Sequence, residues 1–213
     1  MGSSQSNSLP ECYLCGAEAE TIDHVPPQGL FPRVPANIIE VPACLRCNRD
    51  VSRDEEYMRA TLAALGYWHS SAAREIWRGE IARSFQYTQG LRRRLAGDIR
   101  DVEVRSSTGE LLGVLPGLGV DGRRALNVFR KIASGIYYFE KHTRIPDNEL
   151  ILFRMAEVPP RTINTAGWPE HDIGEVFRYR SQHDTDGSSI WFEFYRRDVW
   201  LALTGSFARN YRR

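Results

Sequence analysis

The sequence predicts an α+β protein with a short strand–loop–strand–helix unit near the N-terminus and a larger region of helices and antiparallel strands after it. All four cysteines fall in two C-x-x-C pairs that flank the strand–loop–strand part of the first unit. Apolar residues recur at helical spacing in three segments, and alternating apolar residues mark several strands. The 213 residues suffice for one large domain or two small ones.

The composition is that of an ordinary globular protein, with 42% hydrophobic and 26% charged residues. A formal charge of +1 gives no global argument for a nucleic-acid partner. No apolar run reaches about 18 residues, so no membrane partner is expected. Residues 1–10 are polar and have no apolar segment of a secretory signal, so we expect a disordered lead-in and a cytoplasmic location.

The cysteine pairs are Cys12 with Cys15 and Cys44 with Cys47. Disulfides are rare in a reducing compartment, so the two pairs predict one tetrahedral zinc site with four thiolate ligands. A redox site is the alternative for either pair taken alone. Four thiolates leave no open position on the ion, so the expected zinc is structural.

The first unit is expected to span 11–66. Its predicted elements are a strand over 20–24, a proline-rich loop over 26–35, a second strand over 37–42 that Pro42 ends, and a helix that opens on a capping box at 52–55 and closes at Gly66.

Within this unit, Asp23-His24 follows the first C-x-x-C pair, Asn37 comes next, and Asn48 directly follows the second pair. This succession, over about residues 11–65, resembles the zinc-containing branch of the HNH endonucleases, whose core is the ββα-metal finger. The resemblance implies that His24 is the general base, that Asp23 and Asn48 hold a divalent cation, and that Asn37 orients the loop and the base. Many relatives have histidine where this chain has Asn48, and nearby Asp50 is an additional or alternative ligand.

Phosphodiester hydrolysis needs an activated water and neutralisation of the developing charge. Histidine is the residue type suited to accept a proton at physiological pH, and carboxylate and amide oxygens favour Mg²⁺ or Mn²⁺. Neighbouring side chains on a strand point to opposite faces, so Asp23 and His24 share a site only if the backbone bends. The expected phosphate contacts are Arg33, Arg46, Arg49 and Arg53, with solvated surface arginines as the alternative.

The remaining residues, 67–213, resemble no family and predict an α+β region. Target recognition, dimerisation and sensing of a signal remain open for it, including a homodimer or a partner protein. Helices are expected over 72–95 and 121–142, a hairpin over 102–115, and further strands over 149–203. The second helix is expected to bury one stripe formed by Leu126, Phe129, Ile132, Ile136 and Phe139.

The leading hypothesis is a metal-dependent endonuclease that acts on nucleic acid, DNA rather than RNA because the family resemblance favours it. Two alternatives stay open. One is a non-catalytic, zinc-stabilised module that binds nucleic acid or protein. The other is a nuclease subunit that is active only within a larger complex.

Overall fold

The computed structural model describes residues 10–87, 89–146, 149–154, 165–196 and 198–211. Within these ranges the chain forms helices and three antiparallel sheets, which confirms the α+β class. The expected lead-in lies outside them except for Pro10. None of the described helices has the length and hydropathy that crossing a membrane requires.

The N-terminal unit has the predicted order of strand, loop, strand and helix, with one additional short helix. Its strands pair antiparallel, with Thr21 opposite Ala43 and Val25 opposite Ile39. Burial alternates along the second strand, as expected for a sheet with one packed face. The elements are β1 (Thr21–Val25), a 3₁₀ turn (Gln28–Leu30), β2 (Ile39–Ala43), α1 (Leu45–Asp50) and α2 (Ser52–Gly66).

Two local predictions in this unit are wrong. Pro42 does not end the second strand but lies inside β2 opposite Ile22, which is allowed because each strand of a two-stranded sheet has a free edge. Ser52 does not form a capping box, since its hydroxyl donates to the carbonyl of Arg49 and the N-cap residue Val51 makes no side-chain hydrogen bond. The additional helix α1 supplies the carbonyl that Ser52 uses.

The single helix predicted over 72–95 is instead a succession of shorter pieces. The hydroxyl of Ser70 caps the first piece by accepting from the N–H of Ala73. Gly79, a residue of low helix propensity, lies in a wider π-helical turn. The pieces are α3 (Ser71–Ile76), the π turn (Trp77–Ile81), α4 (Ala82–Tyr87) and α5 (Gln89–Gly97).

The predicted hairpin and long helix are both present. The hairpin consists of β3 (Ile99–Arg105) and β4 (Leu111–Leu118), and the helix is α6 (Gly122–Lys141). Asp121 caps α6 by accepting hydrogen bonds from two backbone N–H groups. The predicted apolar stripe is wrong at both ends, because Leu126 and Phe139 are exposed.

A five-stranded antiparallel sheet follows, in the order β5-β9-β8-β7-β6. The sequence indicated most of these strands but neither β6 nor the closing helix α7. Residues 155–164 of the predicted strand region lie outside the described residues. The elements are β5 (Ile151–Arg154), β6 (Glu170–Ile173), β7 (Phe177–His183), β8 (Ser188–Phe194), β9 (Asp198–Leu203) and α7 (Gly205–Tyr211).

Helix α6 packs against both the N-terminal unit and the five-stranded sheet. On one side, Gly135 lies so close to Val25 that an added Cβ would be 2.4 Å from a Val25 methyl carbon. On the other side, the ring of Phe129 is 6.0 Å from the ring of Phe192 and 5.7 Å from that of Phe194. One hydrophobic core therefore includes residues of the N-terminal unit, α6 and the sheet.

Candidate functional site

The first cysteine pair lies in a tight turn that begins the N-terminal unit. The N–H of Gly16 donates to the carbonyl of Cys12 at 2.9 Å. Gly16 has a φ of 74°, a left-handed conformation that favours glycine. The turn brings the thiol groups of Cys12 and Cys15 to the same side.

The second pair lies at the start of α1. Cys44 is the N-cap residue, and its sulfur accepts a hydrogen bond from the N–H of Cys47 at 3.4 Å. The structure thus places this pair at a helix N-terminus and the first pair in a loop. All four cysteines are free of disulfide bonds.

The four cysteine sulfur atoms converge and lie within 4.8 Å of one another. The Sγ atoms of Cys15 and Cys44 are 3.7 Å apart. With zinc–sulfur bonds of about 2.3 Å, a tetrahedral site has sulfur–sulfur edges of about 3.8 Å. The donor set and the spacing fit zinc, so the cluster is a candidate zinc site.

The pKa values of two thiols in the cluster are shifted in opposite directions. The pKa of the Cys15 thiol is lowered to about 7, chiefly by a backbone hydrogen bond from Ala17. Burial raises the pKa of Cys47. The nearby cysteines, Cys47 foremost, raise the pKa of the exposed Arg46 guanidinium. Arg46 therefore lies where it can offset the charge of the thiolates.

Asp23 and His24 point to opposite faces of β1, as their adjacent positions on a regular strand require. The side chain of Asp23 is turned inward, and the residue is 5% exposed. The side chain of His24 is 29% exposed. The expected backbone bend does not occur, because β1 continues to Val25 in unbroken register with β2. Asp23 and His24 nevertheless both border one cleft beside the strand.

The carboxylate of Asp23 belongs to a buried polar network. Its Oδ2 atom accepts from the phenol of Tyr13 at 2.8 Å and lies 2.9 Å from Nζ of Lys131. Its Oδ1 atom accepts from the backbone N–H of His24 at 2.9 Å. Lys131, on α6, also binds the carboxylate of Glu55, on α2. The network joins β1, α2 and α6.

Burial and charge act against each other in this network. Burial disfavours the charged form of Lys131, but Glu55 and Asp23 together raise its pKa above the usual value. Burial raises the pKa of Glu55, and Lys131 partly opposes that shift. Burial, followed by the charge of Asp23, raises the pKa of Tyr13 well above its usual value. Lys131 is therefore a permanently charged partner of the two carboxylates at neutral pH.

The imidazole of His24 faces an acidic residue that the sequence did not single out. His24 lies opposite Glu40 in the β1–β2 ladder. Its Nε2 atom is 3.6 Å from Oε1 of Glu40. The signal that could have identified Glu40 is the strand pairing itself, because directly opposed residues share one face of a sheet.

A cleft of about 360 Å³ runs beside β1 and α2. Three of the four motif residues line it, namely Asp23, His24 and Asn48. The side-chain amide of Asn48 donates to the carbonyl of Ile22 at 3.4 Å, which leaves its amide oxygen as an acceptor. The other lining residues are Ile22, Pro27, Gln28, Gly29, Leu30, Ser52, Glu55, Glu56 and Arg59.

The remaining sequence-predicted residues lie outside this cleft. Asn37 instead donates a hydrogen bond to the backbone carbonyl of Asp172 at 2.7 Å, which ties the long loop to β6. Asp50, the alternative cation ligand, is exposed at the end of α1 and does not line the cleft. The four arginines proposed to contact phosphate are exposed and do not line it either: Arg33, Arg46, Arg49 and Arg53.

Sequence reasoning missed Lys131 and Arg59. Lys131 is one of two lysines in the chain and falls within the apolar stripe of α6, between Val128 and Ile132. A lysine in such a stripe indicates a buried ion pair, because a buried ammonium needs a partner. Arg59 follows Glu55 by one helical turn, which places both on one face of α2.

Comparison of the chain with protein-family models, with curated proteins and with solved structures finds no match.

Proposed function

We propose that the protein is a metal-dependent endonuclease that hydrolyses phosphodiester bonds of nucleic acid, with DNA preferred to RNA. The observation that carries the proposal is the cleft, which gathers Asp23, His24 and Asn48 next to the four-cysteine cluster. In the sequence these residues stand in the order of the zinc-containing HNH endonucleases. The zinc in this proposal is structural and joins the N-terminal cysteine turn to the start of α1.

His24 is the proposed general base. His24 lines the cleft and its side chain is 29% exposed, and Glu40 across the ladder can stabilise the imidazolium that forms. The imidazole takes a proton from a water molecule while the water oxygen forms a bond to phosphorus. The bond from phosphorus to the leaving oxygen breaks, and that oxygen takes a proton from solvent.

The proposed catalytic cation is Mg²⁺ or Mn²⁺, held by a carboxylate oxygen of Asp23 and the amide oxygen of Asn48. A carboxylate offers about four lone-pair positions, and the network occupies three of those on Asp23. One position remains, so the donor set fits a hard cation whose other ligands are water and phosphate. When bound, the cation supplies charge neutralisation at the phosphate.

A second candidate function is a zinc-stabilised module that binds nucleic acid or protein without catalysis. The specific observation in its favour is the pairing of Asp23 with Lys131, which already neutralises the carboxylate. In that case the polar network serves folding, and His24 is a surface residue of the binding face.

A supercoiled-plasmid assay with added Mg²⁺ or Mn²⁺ tests the proposal. Wild type should nick or linearise the plasmid, and His24→Ala should lose this activity because the base is absent. Ser52→Ala is a control at another residue of the same cleft, one whose hydroxyl donates to the carbonyl of Arg49, and it should cleave like wild type. Cleavage by His24→Ala would refute the assigned mechanism.

Absence of cleavage by wild type under either metal would favour the binding module, or a subunit that needs a partner. Adding a cell extract of the source organism to wild type and to His24→Ala separates these two. Only the partner-dependent nuclease gains cleavage that requires His24.

A further inference from the structure

The charge of the cleft poses a problem for a phosphate ligand. Three acidic residues line it among those described, namely Asp23, Glu55 and Glu56, and the ammonium of Lys131 offsets the charge of the first two. Lys131 is 2% exposed and is not a lining residue, so its ammonium does not reach a ligand in the cleft. A phosphodiester therefore needs a further positive charge at the surface of the cleft.

Among the described residues that line the cleft, Arg59 is the one lysine or arginine. Its side chain is 22% exposed, and Nη1 donates to Oε2 of Glu80 at 2.9 Å. The alkyl stem passes beside Gly29, where an added Cβ would be 3.5 Å from Cδ of Arg59. These contacts from the π turn and the 3₁₀ turn fix the guanidinium at the side of the cleft.

The guanidinium keeps unused donors. The Nε atom of Arg59 is buried and has no hydrogen-bond partner among the residues that the structure describes, so the contact to a ligand falls to the Nη atoms of the partly exposed side chain. An arginine has five N–H donors in a planar fork, and the ion pair with Glu80 uses one nitrogen. A planar guanidinium with free donors can form two parallel hydrogen bonds to a phosphate. A lysine ammonium would bind the phosphate only as a point charge.

We infer that Arg59 is the phosphate-contacting residue of the cleft and that it binds the nucleic-acid backbone in place of the four surface arginines indicated by the sequence. The inference rests on the proposed function, since it assigns the ligand of the same cleft. Glu80 holds the guanidinium in position before the ligand arrives. The contact is to the backbone, so it contributes to affinity for any sequence.

Binding of a duplex DNA oligonucleotide, measured by fluorescence anisotropy in the full-length His24→Ala background, tests the inference without cleavage. Arg59→Gln should weaken binding about tenfold or more and reduce the slope of log Kd against log salt by about one, because one phosphate contact is lost. Arg59→Lys should recover part of the affinity. Arg53→Gln is the matched control, because Arg53 lies on α2 outside the cleft, and it should bind within about twofold of the parent.

An Arg59→Gln protein that binds with the affinity and salt slope of the parent would overturn the inference, and so would an equal loss in Arg53→Gln. A parent protein that binds no DNA would overturn it as well. The proposed function fails separately. If wild type never cleaves but Arg59→Gln still weakens binding with the reduced salt slope, the nuclease assignment is wrong and Arg59 remains the phosphate contact.

Discussion

The carboxylate of Asp23 on β1 and the ammonium of Lys131 on α6 form a buried ion pair, 2.9 Å apart. Both residues are more than nine-tenths buried. The pair places Asp23 of the candidate site in contact with a helix from the other part of the chain. Folding and the candidate site therefore depend on the same contact.

Replacing Lys131 by methionine should destabilise the protein by about 3–5 kcal/mol, because it leaves the Asp23 carboxylate buried without its cationic partner. Urea denaturation followed by circular dichroism measures the free energy of unfolding. Lys141→Met is the matched control, since Lys141 is exposed at the end of the same helix, and a change within about 0.5 kcal/mol is expected there. Equal stability of Lys131→Met and wild type would show that the pair contributes nothing.

The four-cysteine cluster should bind a single zinc ion in the purified protein, and Cys44→Ser should lose it. Because the ion would join the N-terminal cysteine turn to the start of α1, its loss should lower Tm. Elemental analysis and thermal denaturation measure the two effects. Treating wild type with a chelator should reproduce the behaviour of Cys44→Ser. A wild-type protein without zinc, whose Tm does not respond to added zinc, would contradict the prediction.

Asn37 and Asn48 should differ in their effects on cleavage. Asn37→Ala removes a hydrogen bond to the carbonyl of Asp172 and should cost about 1 kcal/mol of stability with kcat unchanged. Asn48→Ala removes a residue of the cleft and should lower kcat. Plasmid cleavage rates together with urea denaturation separate the two effects. An equal fall in kcat for both variants would restore the orienting role first assigned to Asn37.

Stability should fall above pH of about 10, the ordinary pKa of tyrosine. Burial raises the pKa of Tyr13 and of Tyr57, so at alkaline pH the unfolded chain releases phenolic protons that the folded protein retains. Unfolding is then favoured as pH rises. Tyr13→Phe should reduce this slope by up to about 1.4 kcal/mol per pH unit, the effect of one proton. Urea denaturation at stepped pH values measures it, and an unchanged slope would contradict the assignment.

The sequence predicted the elements whose signals are local. Helix α6 was placed within one residue at each end, because Asp121 is an N-cap residue and the helix is strongly amphipathic. The cysteine cluster followed from spacing alone. The π turn continues from the preceding helix α3, and the hydroxyl of Ser52 bonds to a carbonyl of the preceding helix α1 instead of forming a capping box. Residue propensities describe single positions, so they did not reveal either feature.

The candidate site was predicted as a set of residues but not as a geometry. The order of residues in a motif does not give the direction of their side chains. The hydrogen bond of Asn37 to the carbonyl of Asp172 was therefore not predicted. Lys131 is remote from Asp23 along the chain, and only the packing of α6 on β1 brings them together. The arginines nearest the motif in sequence lie outside the cleft. Arg59 lines it because it follows Glu55 by one turn of α2 and so lies on the same face of that helix.

The contact between Gly135 and Val25 has a consequence for how such a protein can evolve. The face of β1 that carries Val25 is complementary to a helix with no side chain at one position. Recombination that moved the first 66 residues onto another protein would leave this face without its partner. The N-terminal unit and α6 are therefore matched at this contact, and the residue at position 25 constrains which residues position 135 can accept.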